Sequence, residues 1–401
     1  MKIVIVSGFY SAGMGYSENC LPKALVSLGH EVHVVTSNLN VYGNVHDYDK
    51  TYEPFLGAAD QGTGVFKIDG YTVHRMPSNF VSSYVYIKGM YKKIRQLAPD
   101  IVQSTEIASV NTFKLALVKV LLGFKLFTET HQHLSVVKPY MKNNVPGYFV
   151  KKILYKITRT LPSHITSWFI EKCYAIAPDC VLVANKYYGV PLNKIKLQSL
   201  GTDTELFKPA ISEMDYAQRK ALRTKFGYDE NDIVCIYTGR FSEDKNPLLI
   251  TQAITEITNQ SNNFFYGIFI GEGIQRDRIQ NTPRTKVLPF MKHIDLAEYY
   301  RMADIAIWPR QESMSMLDAA ASGLPLVVTE NIGEKERIEG NGKSYKENNA
   351  KDLSRALLEL SDEKIRKNFG IIGRTKMVND YSWIKIAKTI ESDYKHALKV
   401  N

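Results

Sequence analysis

Short runs of β-branched and apolar residues punctuate the chain at intervals, and segments with helical spacing of apolar positions lie between several of them. In the first half these runs are KIVIVS at 2–7, EVHVVT at 31–36, DIVQ at 100–103, KLFTE at 125–129 and CVLVA at 180–184. A second series follows Pro209: IVCIYT at 233–238, FYGIFI at 265–270, TKVL at 285–288, DIAIW at 304–308 and LPLVV at 324–328. Such alternation predicts parallel βαβ units, and two separate series predict two doubly wound α/β domains. The join is expected in LGTDTELFKPAIS, 200–212, where Gly, Pro and polar residues separate the series. The tail carries Tyr381, Trp383, Ile384, Ile390, Tyr394 and Leu398 at helical spacing, which predicts a helix with an apolar face to bury.

Length agrees with this picture, because 401 residues exceed what one hydrophobic core usually supports. The chain has no apolar run of about 18 residues, and it opens on Lys2 and a strand-like IVIV without a signal-peptide pattern, so a cytoplasmic location is expected. Cys20, Cys173, Cys180 and Cys235 form no CxxC pair and accompany no histidine cluster; neither a disulfide framework nor a metal site is expected. The net charge of +10 favours anionic partners, nucleotides or phospholipid headgroups. Nucleic acid fits least, since no motif for it appears and the Lys and Arg are scattered.

Ligands of open α/β sheets bind beyond the carboxyl ends of the strands, so the residues just past each run carry the chemistry. After 2–7 comes GFYSAGMGYSEN, where Gly13 and Gly15 allow close backbone approach and Ser17 is a candidate helix cap; Glu18 stands where a dinucleotide fingerprint would have its third glycine. After 233–238, Gly239 frees the backbone and Arg240 and Lys245 supply two cations suited to a diphosphate. Gly271, Glu272 and Gly273 form a second tight turn, and Phe290 and Met291 follow the next run, where their backbone groups can meet a flat base.

The segment WPRQESMSMLDAAASGLPLVV, 308–328, reads as loop, helix, glycine stop and buried strand. Ser313 or Ser315 is expected to cap that helix, and Glu312 and Asp318 can accept hydrogen bonds from sugar or ribose hydroxyls. In the first half, FTETHQH places Glu129, His131 and His133 at a strand end, where a histidine can bond a hydroxyl or move a proton. Farther on, GYFVKKILYKITR sets Lys152, Lys156 and Arg159, with Lys151 beside them, next to Phe149, Ile153, Leu154 and Ile157. That pattern fits a solvated helix face or one that meets an anionic membrane surface or lipid-linked acceptor.

In their order, these pieces resemble the family 4 glycosyltransferases. The resemblance rests on the loop from Gly13 to Ser17, SLGHEVHVVTS, His131 after a strand, LGTDTELFKP, GRFSEDK, GEG, MADIAIWP, DAAASGLP and YSW. It implies a GT-B fold of two Rossmann-like domains facing an interdomain cleft. The expected domains are 1–207 on the acceptor side, with helix 380–401 packing back onto it, and 208–379 on the donor side. It implies a retaining enzyme that moves a sugar from a nucleotide-sugar, UDP-sugar by family frequency, to a glycan or lipid-linked acceptor in surface polysaccharide or glycolipid synthesis, with hexose or N-acetylhexosamine as the sugar.

Carried residue by residue, the resemblance places Arg240 and Lys245 on the donor diphosphate, His131 on the transferred sugar and Asp318 on the ribose. Gly13, Gly15, Gly239, Gly271, Phe290 and Met291 complete the donor site. The family's first glutamate would stand eight residues before Asp318, where this chain has Arg310. Glu312 is therefore assigned its place, with the amides of Ser313, Met314, Ser315 and Met316 on the sugar hydroxyls. No metal or other cofactor is expected. The expected location is the cytoplasm or the inner face of the cell membrane. A sugar-nucleotide epimerase and a non-catalytic nucleotide-sugar-binding subunit are the alternative readings.

Overall fold

The computed structural model describes residues 1–45, 48–81, 84–138, 148–260, 264–310 and 313–399. It divides into two compact units, Met1–Leu200 with Ile384–Asn401, and Gly201–Trp383. The division falls a few residues before the 207/208 join read from sequence. The cause is local: Thr202 exchanges backbone hydrogen bonds with Tyr381 and Trp383, and Phe207 is fully buried in the second unit's core.

The first unit contains β1 (Lys2–Ser7), β2 (Glu31–Ser37), β3 (Gly64–Ile68), β4 (Tyr71–Met76), β5 (Ser78–Val81), β6 (Tyr84–Ile87), β7 (Ile101–Ser104), β8 (Lys125–Thr130), β9 (Lys172–Ala175) and β10 (Ile195–Leu197). Eight of these form one sheet in the order β10-β9-β8-β7-β1-β2-β4-β3, while β5 and β6 pair as a separate hairpin. Only the edge strand β3 runs antiparallel, against β4. The run order reverses at β1, between β7 and β2, and such a reversal opens a crevice beyond the strand carboxyl ends.

One expected strand is a helix. CVLVA, read as a strand at 180–184, lies within the helix Pro178–Lys186, and β9 takes the sheet position instead. Pro178 opens that helix in the first turn, where its missing N–H has no cost, and Asp179 follows at the positive end of the dipole. Cys180, Val183 and Ala184 then share its buried face at helical spacing.

The terminal helix Trp383–Lys399 belongs to the first unit almost entirely. Asp393 bridges Lys172 and Lys196 at 2.8 Å each, His30 meets Glu391 at 2.8 Å, and the buried Tyr394 packs edge-on against Phe127.

The second unit contains β11 (Ile233–Thr238), β12 (Phe265–Ile270), β13 (Thr285–Leu288), β14 (Ile305–Trp308), β15 (Leu326–Thr329) and β16 (Gly342–Tyr345). They form a wholly parallel sheet, β13-β12-β11-β14-β15-β16, which is the doubly wound order with its switch point between β11 and β14. β11, β14 and β15 are buried at every position, as strands covered by helices on both faces require. No helix among the described residues is long and apolar enough to cross a membrane.

Candidate functional site

In the second unit the switch point lies between the loops that follow β11 and β14. Gly239, Gly271 and Gly273 all have positive φ, 147°, 154° and 148°. Two backbone hydrogen bonds, Gly239 N to Ile270 O at 3.0 Å and Phe241 N to Glu272 O at 2.8 Å, stitch these loops together. The fit leaves no room for side chains, since a Cβ on Gly271 would lie 1.9 Å from the Gly239 carbonyl oxygen. Backbone alone therefore forms a platform beyond β11 and β12. Arg240 stands exposed beside it and Lys245 half-buried, in the same loop. A hydrogen bond from Ser242, helped by the charges of Arg240 and Lys245, holds the Asp244 carboxyl below its ordinary range.

The loop after β14 is tied to this platform by Arg310. Its guanidinium donates to the Glu243 carbonyl at 2.9 Å and faces Glu347 at 3.3 Å. The position that the family gives to a glutamate thus holds a cation that braces the Arg240–Lys245 loop. Glu312, assigned to replace that glutamate, lies outside the described residues.

Asp318, the expected ribose ligand, is engaged by protein partners. It is buried, one carboxylate oxygen accepts from Thr202 Oγ1 at 2.7 Å, and the other meets His293 Nε2 at 2.9 Å. Both oxygens thus serve protein partners, anchoring the start of the unit to the helix Ser315–Ala321. The serine cap also differs: Met314 occupies the cap position without a side-chain bond, because the Ser313 and Ser315 hydroxyls bond each other at 2.7 Å. Met316 is buried, and Gly323 stops the run in the left-handed conformation at φ 81°. Phe290 and Met291 follow β13 and are half-buried.

The first unit has a cavity of about 420 Å³ at its own switch point. Ser7, Gly8 and Phe9 after β1, Thr105 and Glu106 after β7, and His131 and Gln132 after β8 line it, with Ser17, Glu18 and Arg159. Gly13, at φ 81°, and Gly15 belong to the loop between β1 and this wall. Ser17 does not cap the helix Ser17–Ser27; Tyr16 holds the cap position, and Ser17 is the first helical residue.

The cavity's charged groups are set against burial. Glu18 is pushed up to about 7 by burial, against the opposing pull of its own backbone N–H and of His131. Glu106 is also raised by burial, although Arg159 favours its charged form. For His131 burial acts downward, but the Glu129 carboxylate 2.7 Å from Nε2, with Glu18 and Glu106 nearby, outweighs it and leaves the ring raised. Glu106 accepts from Gln132, whose carbonyl accepts from Tyr188, and Tyr188 meets Tyr155 at 2.8 Å. Tyr155 and Arg159 thus turn the basic helix inward at this point. Its outer side leaves Lys151 and Lys156 exposed beside Val150, Leu154 and Ile157, with Lys152 half-buried.

His133 stands apart from His131. Its Nδ1 meets Asp179 at 3.0 Å and lies 3.9 Å from the Cys180 sulfur, while Asp179 also accepts the Leu134 N–H. Among the described residues these three are the group spaced closely enough to hold a metal ion.

Residues 218–376, which contain the glycine platform, Arg240, Lys245 and Asp318, match the model of the family described as glycosyl transferases group 1. The match lies within the second unit. It is 22% identical over 350 residues to the alpha-monoglucosyldiacylglycerol synthase of Acholeplasma laidlawii, covering 82% of this chain and 80% of that protein. It is 23% identical over 229 residues to spore coat protein SA of Bacillus subtilis strain 168, covering 51% of this chain and only 59% of that protein. Among solved structures, Anabaena HepE in complex with UDP matches with a TM-score of 0.68 at 16% identity, over 99% of this chain and 100% of that one. That likeness, with the two strand orders, makes the fold GT-B, as the family resemblance implied.

Sequence reasoning missed two cavity carboxylates. Glu18 was visible only as the residue that spoils a glycine fingerprint, and Glu106 not at all. A carboxylate in the first turn after β1, at the reversal of strand order, was the available signal for Glu18.

Proposed function

We propose that the chain transfers a sugar from a nucleotide-sugar donor, UDP-sugar first among the candidates, to a glycan or lipid-linked acceptor with retention, in surface polysaccharide or glycolipid synthesis. The observation that carries this reading is the glycine platform beyond β11 and β12 with Arg240 exposed beside it. Transfer builds negative charge on the departing diphosphate, and fixed cations held in place beforehand lower that barrier. Arg240 and Lys245 supply them, and transfer is proposed to need no divalent ion. Bare backbone at Gly239 and Gly271 lets phosphate oxygens approach the amides closely. Phe290, Met291 and the amides of 313–316 are proposed to border the donor, with Glu312 on the sugar.

The cavity of the first unit, with His131 on its wall and the loop of Gly13 and Gly15 near it in sequence, is proposed to receive the acceptor side of the reaction. UDP in HepE supports the donor class, and the diacylglycerol-linked product named for the Acholeplasma relative supports a lipid-linked acceptor. The exposed Leu154, Ile157, Leu161 and Trp168, interspersed with Lys151 and Lys156, support a peripheral membrane contact for that acceptor. Whether the sugar is a hexose or an N-acetylhexosamine is read out by the test.

The test is a binding and turnover screen of UDP-, GDP- and ADP-sugars, run with and without EDTA. Saturable binding of one donor and sugar transfer that survives EDTA are expected. Binding without transfer to any glycan or lipid-linked acceptor would replace the enzyme with a nucleotide-sugar-binding subunit, and no binding would remove the donor site.

A further inference from the structure

The histidine in the first unit's cavity is the last member of a buried chain of hydrogen bonds that begins on the terminal helix. Tyr394 is fully buried and its hydroxyl donates to Gln103 Oε1. Gln103, fully buried in β7, donates from Nε2 to Glu129 Oε1 at 2.5 Å. The other Glu129 oxygen meets His131 Nε2 at 2.7 Å. The helix that returns from the far end of the sequence is thus linked, through one amide and one carboxylate, to a ring in the cavity wall.

We propose that Tyr394 is a positioning residue that fixes the tautomer and orientation of His131. An ionised carboxylate only accepts, so Glu129 is satisfied by Gln103 only when the amide turns its NH₂ inward. The acceptor-only carboxylate draws the NH₂ end, and a donor on the oxygen end holds the amide in that place. The Tyr394 hydroxyl is that donor. With the amide fixed, Glu129 has one oxygen committed to Gln103 and one to His131, and the neutral ring must carry its proton on Nε2. Nδ1 is then left as the acceptor nitrogen.

Other charged groups act on the same ring. Glu18 and Glu106 face it from the cavity wall, with Arg159 acting on Glu106, and Asp393 accepts from Tyr174 beside Tyr394. None of these bonds to the ring selects a tautomer as Glu129 does. The link to transfer rests on the reading of His131 given above, but the link from Tyr394 to the ring does not.

The experiment is nitrogen-15 NMR of histidine rings in the full chain, with His131→Ala used to assign the signal. Above the ring's titration, the native protein should show a protonated Nε2 and an unprotonated Nδ1. Tyr394→Phe removes only the hydroxyl and should bring the two shifts together, as tautomers mix. In turnover, the same variant should lose roughly 10- to 100-fold in kcat with the donor KM unchanged. Tyr174→Phe loosens the same core outside the chain and should leave the ring spectrum as it was. If Tyr394→Phe does not fold, Gln103→Met breaks the chain one link later and should give the same mixed tautomers. A single Nε2–H tautomer in both variants would overturn the proposal. A mixed ring with full turnover in His131→Ala would leave the link standing and remove His131 from the reaction.

Discussion

Beyond β11 and β12 the second unit places glycines, an arginine and a lysine; beyond β1, β7 and β8 the first places two glutamates, a histidine and an arginine. Both sets lie beyond strand carboxyl ends, at or next to the point where a sheet's strand order reverses. The second set is shaped by backbone, with an arginine and a lysine as its charged side chains. The first is titratable, because burial and mutual charge bring Glu18 to about 7 and raise Glu106 and His131. One site thus sets two cationic side chains beside bare backbone, and the other gathers carboxylates and a histidine whose charge is set by burial and by one another.

The comparison breaks most severely at Gly271. Gly271→Ala forces a Cβ against the Gly239 carbonyl in a conformation that L-residues avoid, and should cost the second unit about 4 kcal/mol or more. Chemical denaturation followed by nucleotide titration should show both the loss of stability and the loss of binding. A folded variant of native stability would mean that the two loops are not locked as described.

Arg240→Ala removes charge without touching the platform. Turnover should fall about 100-fold or more while the shape of the pH profile stays the same, since the titrating groups lie in the other unit. An unchanged rate would remove the diphosphate role of this residue.

Glu18→Gln sharpens the other side. A carboxyl raised from 4.5 to about 7 favours the folded state while protonated. Its contribution is complete below the unfolded value and is lost as pH rises through about 7. The native protein should therefore melt a few degrees below Glu18→Gln at pH 8, with the gap closing towards pH 4.5. A gap that does not depend on pH would mean that Glu18 is solvated. The smallest effect concerns the outer helix face: replacing Lys152 and Lys156 with Glu should weaken sedimentation with anionic vesicles, each lysine contributing about 1 kcal/mol near such a surface. Unaltered sedimentation would make that face an ordinary solvated one.

Much of this was legible in sequence because buried parallel strands announce themselves as apolar runs, and nine of the ten runs are strands or overlap one. The exception, CVLVA, shows the limit: five apolar residues suit either element, and the Pro178-Asp179 start decided for helix. Strands β3 to β6 carry polar residues between apolar ones and lie at or near an edge, so no dense run marked them. The place of Arg240 and Lys245 in the loop past β11 was readable because the apolar run before them marks where the strand ends. The partners of Asp318 were not, since Thr202 and His293 are distant in sequence and only folding brings them to it. The same holds for Tyr394, Gln103 and Glu129, three residues from three elements whose connection is purely tertiary.

The proposed division between an anion site in the second unit and a titratable cavity in the first is tested most directly by calorimetric titration of UDP, GDP and ADP into the native chain, Arg240→Ala and His131→Ala. One nucleotide should bind the native chain and His131→Ala alike and Arg240→Ala far more weakly, with affinity flat between pH 6 and pH 8. Equal affinity in the native chain and Arg240→Ala, or affinity lost in His131→Ala instead, would contradict the account.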